Sequence, residues 1–199
     1  MELIDIGCNL THDSFDKDRE EVMQNAHEAG VVQMVVTGAS EDGSRMAYDL
    51  AIRHPGVLFG TAGVHPHHAS DYTDATHDLL CELIHHDEVV AVGETGLDYF
   101  RDFSPRDVQR KVFVRQLEIG IASGKPVFLH MRDAHDDFFA ILREYRNQLS
   151  DVVVHCFTGS QDELAEYLEL DCHIGITGWI CDERRGTHMK DYLADVPQD

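Results

Sequence analysis

The chain has 199 residues, 43% of them hydrophobic and 27% charged, a globular composition that excludes disordered, collagenous and membrane classes. Its 37 acidic residues against 16 basic ones give a net charge of −21, which excludes a broad cationic surface for gripping phosphate backbones and leaves only local, metal-assisted contact with nucleic acid. No apolar run approaches the ~18 residues of a membrane span. The start Met1-Glu2-Leu3-Ile4-Asp5 has no basic n-region, so no signal peptide is expected. The five cysteines are scattered without C-x-x-C spacing, which fits a reducing, cytoplasmic location.

Two patterns alternate along the chain. Short runs rich in Val and Ile read as buried parallel strands: Leu3–Ile6, Val31–Thr37, Leu58–Val64, Val89–Val92, Pro126–Leu129, Val152–Val154 and Ile174–Ile176. Between them lie stripes with helical spacing. Asp16 to Ala29 carries Val22, Met23, Ala26 and Ala29, stopped by Gly30. Ser44 to Arg53 and Ala75 to His86 follow, the latter with Leu79, Leu80, Leu83 and Ile84. Ser104-Pro105 reads as a cap with proline at the first helical position, opening a long helix that ends at Gly124. Asp133 to Gln148 and Gln161 to Leu170 complete the set, and Met189, Tyr192 and Leu193 make a last short pattern.

Seven strand–helix units of about 25–35 residues, with no linker or composition shift, predict a single domain over residues 1–199 with parallel strands and helical crossovers. No G-x-G-x-x-G follows the first strand, so a TIM-type (β/α) barrel is favoured over a doubly wound sheet. A closed barrel needs eight strands and about 250 residues. The expectation is therefore an incomplete α/β barrel of seven units, with Val196-Pro197-Gln198-Asp199 reading as a loop toward another strand. Its first and seventh strands would be open edges, an aggregation liability.

Three polar residues stand directly after apolar strand runs. Glu94 follows Val89-Val90-Ala91-Val92-Gly93, His130 follows Pro126-Val127-Phe128-Leu129, and His155 follows Val152-Val153-Val154. In a parallel barrel such strand ends converge on the catalytic face. One carboxylate with two imidazoles is a ligand set for a divalent cation that keeps open positions for water and substrate. Around them, His65 is a ligand, a proton donor, a phosphate contact or a neutral rim histidine. Asp98 either orients a water or a ligand histidine, or caps its loop. Arg132 either holds phosphate through its fork or pairs with an acid while Asp133 caps the next helix. His67, His68 and His77 read as a solvated loop, His85-His86 as a helix C-terminus complementing its dipole. Cys156 lacks an activating base. Phe157 and Trp179 read either as base-stacking or as core residues.

The chain resembles the TatD family of metal-dependent deoxyribonucleases. The resemblance is carried by Gly63-Val64-His65-Pro66, Gly93-Glu94-Thr95-Gly96-Leu97-Asp98, Leu129-His130-Met131-Arg132-Asp133, His155-Cys156-Phe157-Thr158-Gly159 and Gly175-Ile176-Thr177-Gly178. Asp5-Ile6-Gly7-Cys8-Asn9-Leu10-Thr11 and Trp179-Ile180-Cys181-Asp182-Glu183-Arg184-Arg185-Gly186 place it with the TatD-type subgroup. The resemblance implies a metallohydrolase barrel with 3′→5′ exonuclease activity on single-stranded DNA or RNA ends. It implies a divalent cation, Mg²⁺ first and Mn²⁺ or Zn²⁺ as alternatives, on Glu94, His130 and His155. His65, Asp98 and Arg132 fall at motif positions near the site. No membrane or obligate protein partner is implied.

Two departures stand out. Many relatives carry D-x-H-x-H on the first strand, where this chain has Asp5, Gly7 and Asn9, so a second metal is not expected from that strand. The family's eighth-strand Asp, which serves metal and catalysis, has no counterpart. Asp195 and Asp199 follow no apolar strand and are not assigned its role. Two other functions stay open at this level: a weakly active or inactive fragment with partial metal binding, and a metal-dependent amidase or esterase on the same scaffold.

Overall fold

The structure, a computed structural model, describes residues 1–184 and 186–197. Arg185, Gln198, Asp199 and the Asp195 side chain lie outside the described residues. Seven strands form one parallel sheet in the order β1-β2-β3-β4-β5-β6-β7: β1 Leu3–Cys8, β2 Val31–Val36, β3 Leu58–Ala62, β4 Val89–Asp98, β5 Val127–Arg132, β6 Val152–His155 and β7 His173–Ile174. Six helices cross between them: α1 Arg19–Glu28, α2 Glu41–Arg53, α3 Asp74–Ile84, α4 Arg106–Ser123, α5 His135–Tyr145 and α6 Gln161–Glu169. The sheet curls into a half-barrel with these helices between its strands, the seven-unit α/β barrel that the sequence predicts. No described helix is long and apolar enough to cross a membrane.

The apolar stripes face one continuous core. Leu79, Leu80, Leu83 and Ile84 of α3, Phe113 and Leu117 of α4, Phe138 and Leu142 of α5, and Leu164 and Tyr167 of α6 pack against the β3–β6 side chains Ala62, Val92, Leu129 and Val154. A smaller cluster joins Met23 of α1, Ala47, Leu50 and Ala51 of α2, and Met34, Val36 and Leu58 of the strands. Strand β1 differs. It pairs only with β2 among the described residues, and Leu3, Ile4 and Ile6 are 45–56% exposed.

Local chemistry moves several predicted boundaries. Helix α2 begins three residues early because Ser40 caps it, its side chain accepting from the Gly43 N–H. Thr73 and Ser160 form capping boxes with Thr76 and Glu163 and fix the starts of α3 and α6. Ser104 is not the cap of α4: its hydroxyl accepts from the Ser70 N–H and donates to the His67 carbonyl, and Pro105 takes the N-cap position. Asp133 does not cap α5 either, since the N-cap is Ala134, which has no side chain to do it. The last apolar pattern forms 3-10 turns at Thr187–Asp191 and Leu193–Asp195.

Two buried glutamines, seven residues apart on α4 and therefore on one face, hold the strand ends that carry the site. Gln116 accepts from the Val64 N–H and donates to the Val64 carbonyl and the Thr95 hydroxyl. Gln109 accepts from the Asp98 N–H and donates to the carbonyls of Asp98 and Ser104. Beside them the β3 and β4 backbones touch: a Cβ on Gly63 would stand 2.6 Å from the Gly93 Cα, so only glycine fits. Replacing Gln116 by Leu strands three buried polar partners and is expected to lower stability by about 2–4 kcal/mol, read as the midpoint shift in urea unfolding. Ser160→Ala, which removes only a cap, is expected to cost about 1 kcal/mol by the same measurement.

Candidate metal centre

Strand β4 runs through the predicted site rather than stopping before it. Gly93 pairs with Phe128 and Thr95 with Leu129, so Glu94 is the extra residue of a bulge in the β4–β5 ladder. A bulge redirects a side chain and is frequent beside active sites. The loop after β2 braces this point: the Gly38 carbonyl accepts from the Glu94 N–H at 2.6 Å and the Ala39 carbonyl from the His65 N–H at 2.9 Å. His130 on β5 pairs in register with Gly96 on one side and His155 on the other. The three expected ligands therefore sit on three adjacent strands.

Their side chains meet at one oxygen. Glu94 Oε1 lies 2.7 Å from His155 Nε2, 3.1 Å from His130 Nδ1 and 3.7 Å from His65 Nε2. Burial works to raise the Glu94 pKa. The hydrogen bonds to His130 and His155 and the nearby imidazoles outweigh it and hold the carboxyl well below the usual carboxylate range. For His130, burial again opposes charge, but its contacts with Asp98 and Glu94 raise its pKa to about 9. His65 is the opposite case, since burial dominates and lowers its pKa to about 3, leaving a neutral imidazole. Its Nδ1 accepts the His67 N–H at 3.2 Å, so the ring proton resides on Nε2.

Behind His130 stands Asp98, 1% exposed. Its Oδ1 accepts the backbone N–H groups of Phe100 and Arg101, and its Oδ2 lies 2.7 Å from His67 Nε2. His130 Nε2 is 3.4 Å from the same Oδ2, an ion-pair contact, and this buried nitrogen forms no hydrogen bond among the described residues. On the opposite edge of the ring, His130 Nδ1 and His155 Nε2 converge on Glu94 Oε1, and two imidazole nitrogens around one buried, ionised carboxylate are donor chemistry that fits a divalent cation. His65, Glu94 and His130 also have donor atoms within 4.8 Å of one another.

The structure joins Glu94, His130, His155, His65 and Asp98 in one cluster and places Arg132 at its edge. The Arg132 guanidinium lies over the Phe100 ring at 3.9 Å and pairs with no carboxylate among the described residues. Of the first-strand positions, Asp5 accepts from the Gly7 N–H, and a Cβ on Gly7 would stand 3.0 Å from the Phe128 ring, which itself packs on His155 at 4.6 Å. The Phe128 ring occupies the space facing Gly7.

Several expectations are corrected. His67 is not a solvated loop residue: it lies in a 3-10 turn at Pro66–Asp71, bonded to Asp98 and edge-on to His65. His77 bonds the Tyr72 hydroxyl, whereas His85 caps the C-terminus of α3 as expected, with the His86 ring tilted against Tyr48 at 4.5 Å. Phe157 is 2% exposed and belongs to the core, which leaves Trp179 for the surface. Gln109 and Gln116 carried one legible signal, two amides on an otherwise apolar helical stripe. His67 carried none beyond its place two residues after His65.

Parallel strands with a carboxylate–histidine cluster at their C-terminal ends define a metallohydrolase-type barrel. A family profile described as "TatD related DNase" matches residues 4–199, and the chain belongs to that family. It is 47% identical over 195 residues to a protein of Pantoea sp. (strain At-9b) named "3'-5' ssDNA/RNA exonuclease TatD", covering 98% of this chain and 75% of that one. It is 46% identical over 197 residues to the protein of the same name from Erwinia billingiae (strain Eb661), covering 99% and 76%. Among solved structures, the TatD homolog YJJV from Escherichia coli K12 superposes with a TM-score of 0.90 at 29% identity, covering 98% of this chain and 75% of that chain. A TatD family hydrolase from Entamoeba histolytica gives 0.80 at 29% identity, covering 89% and 65%.

Asn at position 98 would keep the shape but lose the charge that faces His67 and His130. Asp98→Asn is expected to weaken Mn²⁺ binding about 10–100-fold, measured as the metal concentration needed to raise the thermal midpoint.

Proposed function

We propose that the protein is a divalent-cation-dependent 3′→5′ exonuclease that hydrolyses phosphodiester bonds at single-stranded DNA or RNA ends. The observation that carries this reading is the buried Glu94 carboxylate held between His130 Nδ1 and His155 Nε2, in a chain of this family. Glu94, His130 and His155 are the ligands. A cation held there supplies Lewis acidity toward a phosphate oxygen and a lowered pKa for bound water. Two imidazoles and one carboxylate make a nitrogen-rich donor set, which suits Mn²⁺ or Zn²⁺ better than Mg²⁺, so Mn²⁺ or Zn²⁺ takes first place over the Mg²⁺ that the resemblance implied.

The remaining residues divide the work. His65 presents a neutral Nε2–H toward the cluster and donates it to a phosphate oxygen or to the departing 3′ oxygen. Arg132, which pairs with no carboxylate among the described residues, offers its guanidinium fork to the phosphate. Asp98 and His67 position His130. Neither described carboxylate at the centre is available as general base: Glu94 is committed to its histidines, and Asp98 to two backbone donors and His67. Action in the cytoplasm completes the reading, supported by five cysteines that are all free.

A 5′-labelled single-stranded oligonucleotide is expected to shorten stepwise from its 3′ end in the presence of Mn²⁺. His155→Ala is expected to slow this by at least the ~10–100-fold that losing a group behind a metal ligand costs. Unchanged cleavage by His155→Ala, or hydrolysis of small amides in preference to the oligonucleotide, would contradict the assignment.

A further inference from the structure

Next to the carboxylate–histidine cluster lies a hollow of about 360 Å³, with His130, Arg132, Phe100, Cys156, Thr158 and Trp179 on its walls. Two of these are large, partly exposed aromatic side chains: Phe100 is 53% exposed and Trp179 38%. They come from distant parts of the chain. Phe100 follows β4, and Trp179 lies in a 3-10 turn, Gly178–Cys181, after β7. Arg132 ends β5, the strand of His130, and lines this hollow, its guanidinium carbon 3.9 Å over the Phe100 ring. Stacking fixes the plane of the fork and leaves its N–H edges for an acceptor. Among the described residues no carboxylate takes them.

At a net charge of −21, the protein repels a polyanion over most of its surface. Affinity for a nucleic acid end must then come from contacts that owe little to net charge. Base–aromatic stacking is such a contact, and it accepts any base because each has a π-face. A paired base cannot present that face, so a stacking wall also selects unpaired ends.

Resting on the nuclease reading, we propose that this hollow seats the 3′-terminal nucleotide, with its base stacked on Trp179 and its phosphate held by the Arg132 fork, which Phe100 keeps in place. Substrate is captured by stacking plus one or two phosphate contacts, not by a cationic track. Phe100 is a positioning residue here, acting through Arg132.

Trp179 is the only tryptophan in the chain, so its fluorescence reports on the hollow directly. The test titrates the Mn²⁺-loaded protein with a single-stranded oligothymidylate whose 3′-terminal phosphorothioate linkages resist cleavage. Saturable quenching is expected, with little from a blunt duplex containing the same strand. Phe100→Ala removes an exposed side chain with no core contact and is expected to raise Kd about tenfold, near 1.4 kcal/mol, with Phe100→Tyr close to wild type. The slope of log affinity against log salt is expected to be no steeper than about −1.4, the value for two phosphate contacts on a single strand. Absence of quenching, equal quenching by the duplex, an unchanged Kd in Phe100→Ala, or a slope of about −3 would each overturn the proposal. If the same preparation still shortens an unmodified oligonucleotide, only the capture site has failed. If it shortens none, the nuclease reading has failed and the proposal with it.

Discussion

A buried carboxylate is costly unless donors surround it, and Glu94 is the group around which this half-barrel is organised. It accepts from His155 and His130 and has His65 close by, so β5, β6 and the segment after β3 must all deliver an imidazole to one oxygen. Regular β alternation on four adjacent strands does not do this unaided. The bulge at Glu94, the Gly63–Gly93 contact and the carbonyls of Gly38 and Ala39 redirect the β3 and β4 backbones at that point. Gln109 and Gln116 then lock those ends to α4 from behind. The core stabilises the scaffold, while the polar clamps set the position of the site on it.

The same arrangement reconciles a strongly acidic chain with a polyanionic substrate class. Three features act locally and need no favourable net charge: the buried His65, an Arg132 that pairs with no carboxylate among the described residues, and a carboxylate–imidazole set able to hold a cation. Beyond a Debye length the remaining charge is screened. What is left suits the removal of nucleotides one at a time from an end better than the wrapping of a duplex.

Much of this was legible in the sequence, for physical reasons that can be named. Buried parallel strands read as apolar runs, so Pro126–Leu129 and Val152–Val154 stand out, and polar residues placed directly after such runs mark the cluster. Strand β4 was cut short because Gly93, Glu94 and Gly96 look like a turn. In the structure those glycines are where the strand passes close to its neighbours, and Glu94 is the bulge. His67 is not legible because a histidine five residues past the end of β3 carries no periodic signal. Its role depends on Asp98, 31 residues away. Ser104 looked like a helix cap because serine before proline usually is one, but tertiary contacts with Ser70 and His67 claimed its hydroxyl.

The most direct test replaces the central charge and keeps its shape. Calorimetric titration of the wild-type chain with Mn²⁺ is expected to show a saturable site that Glu94→Gln loses, while its circular dichroism and cooperative unfolding are retained. If Glu94→Gln binds Mn²⁺ with the affinity of the wild type, Glu94 does not hold the cation, and the assignment of Glu94, His130 and His155 as a metal centre is wrong.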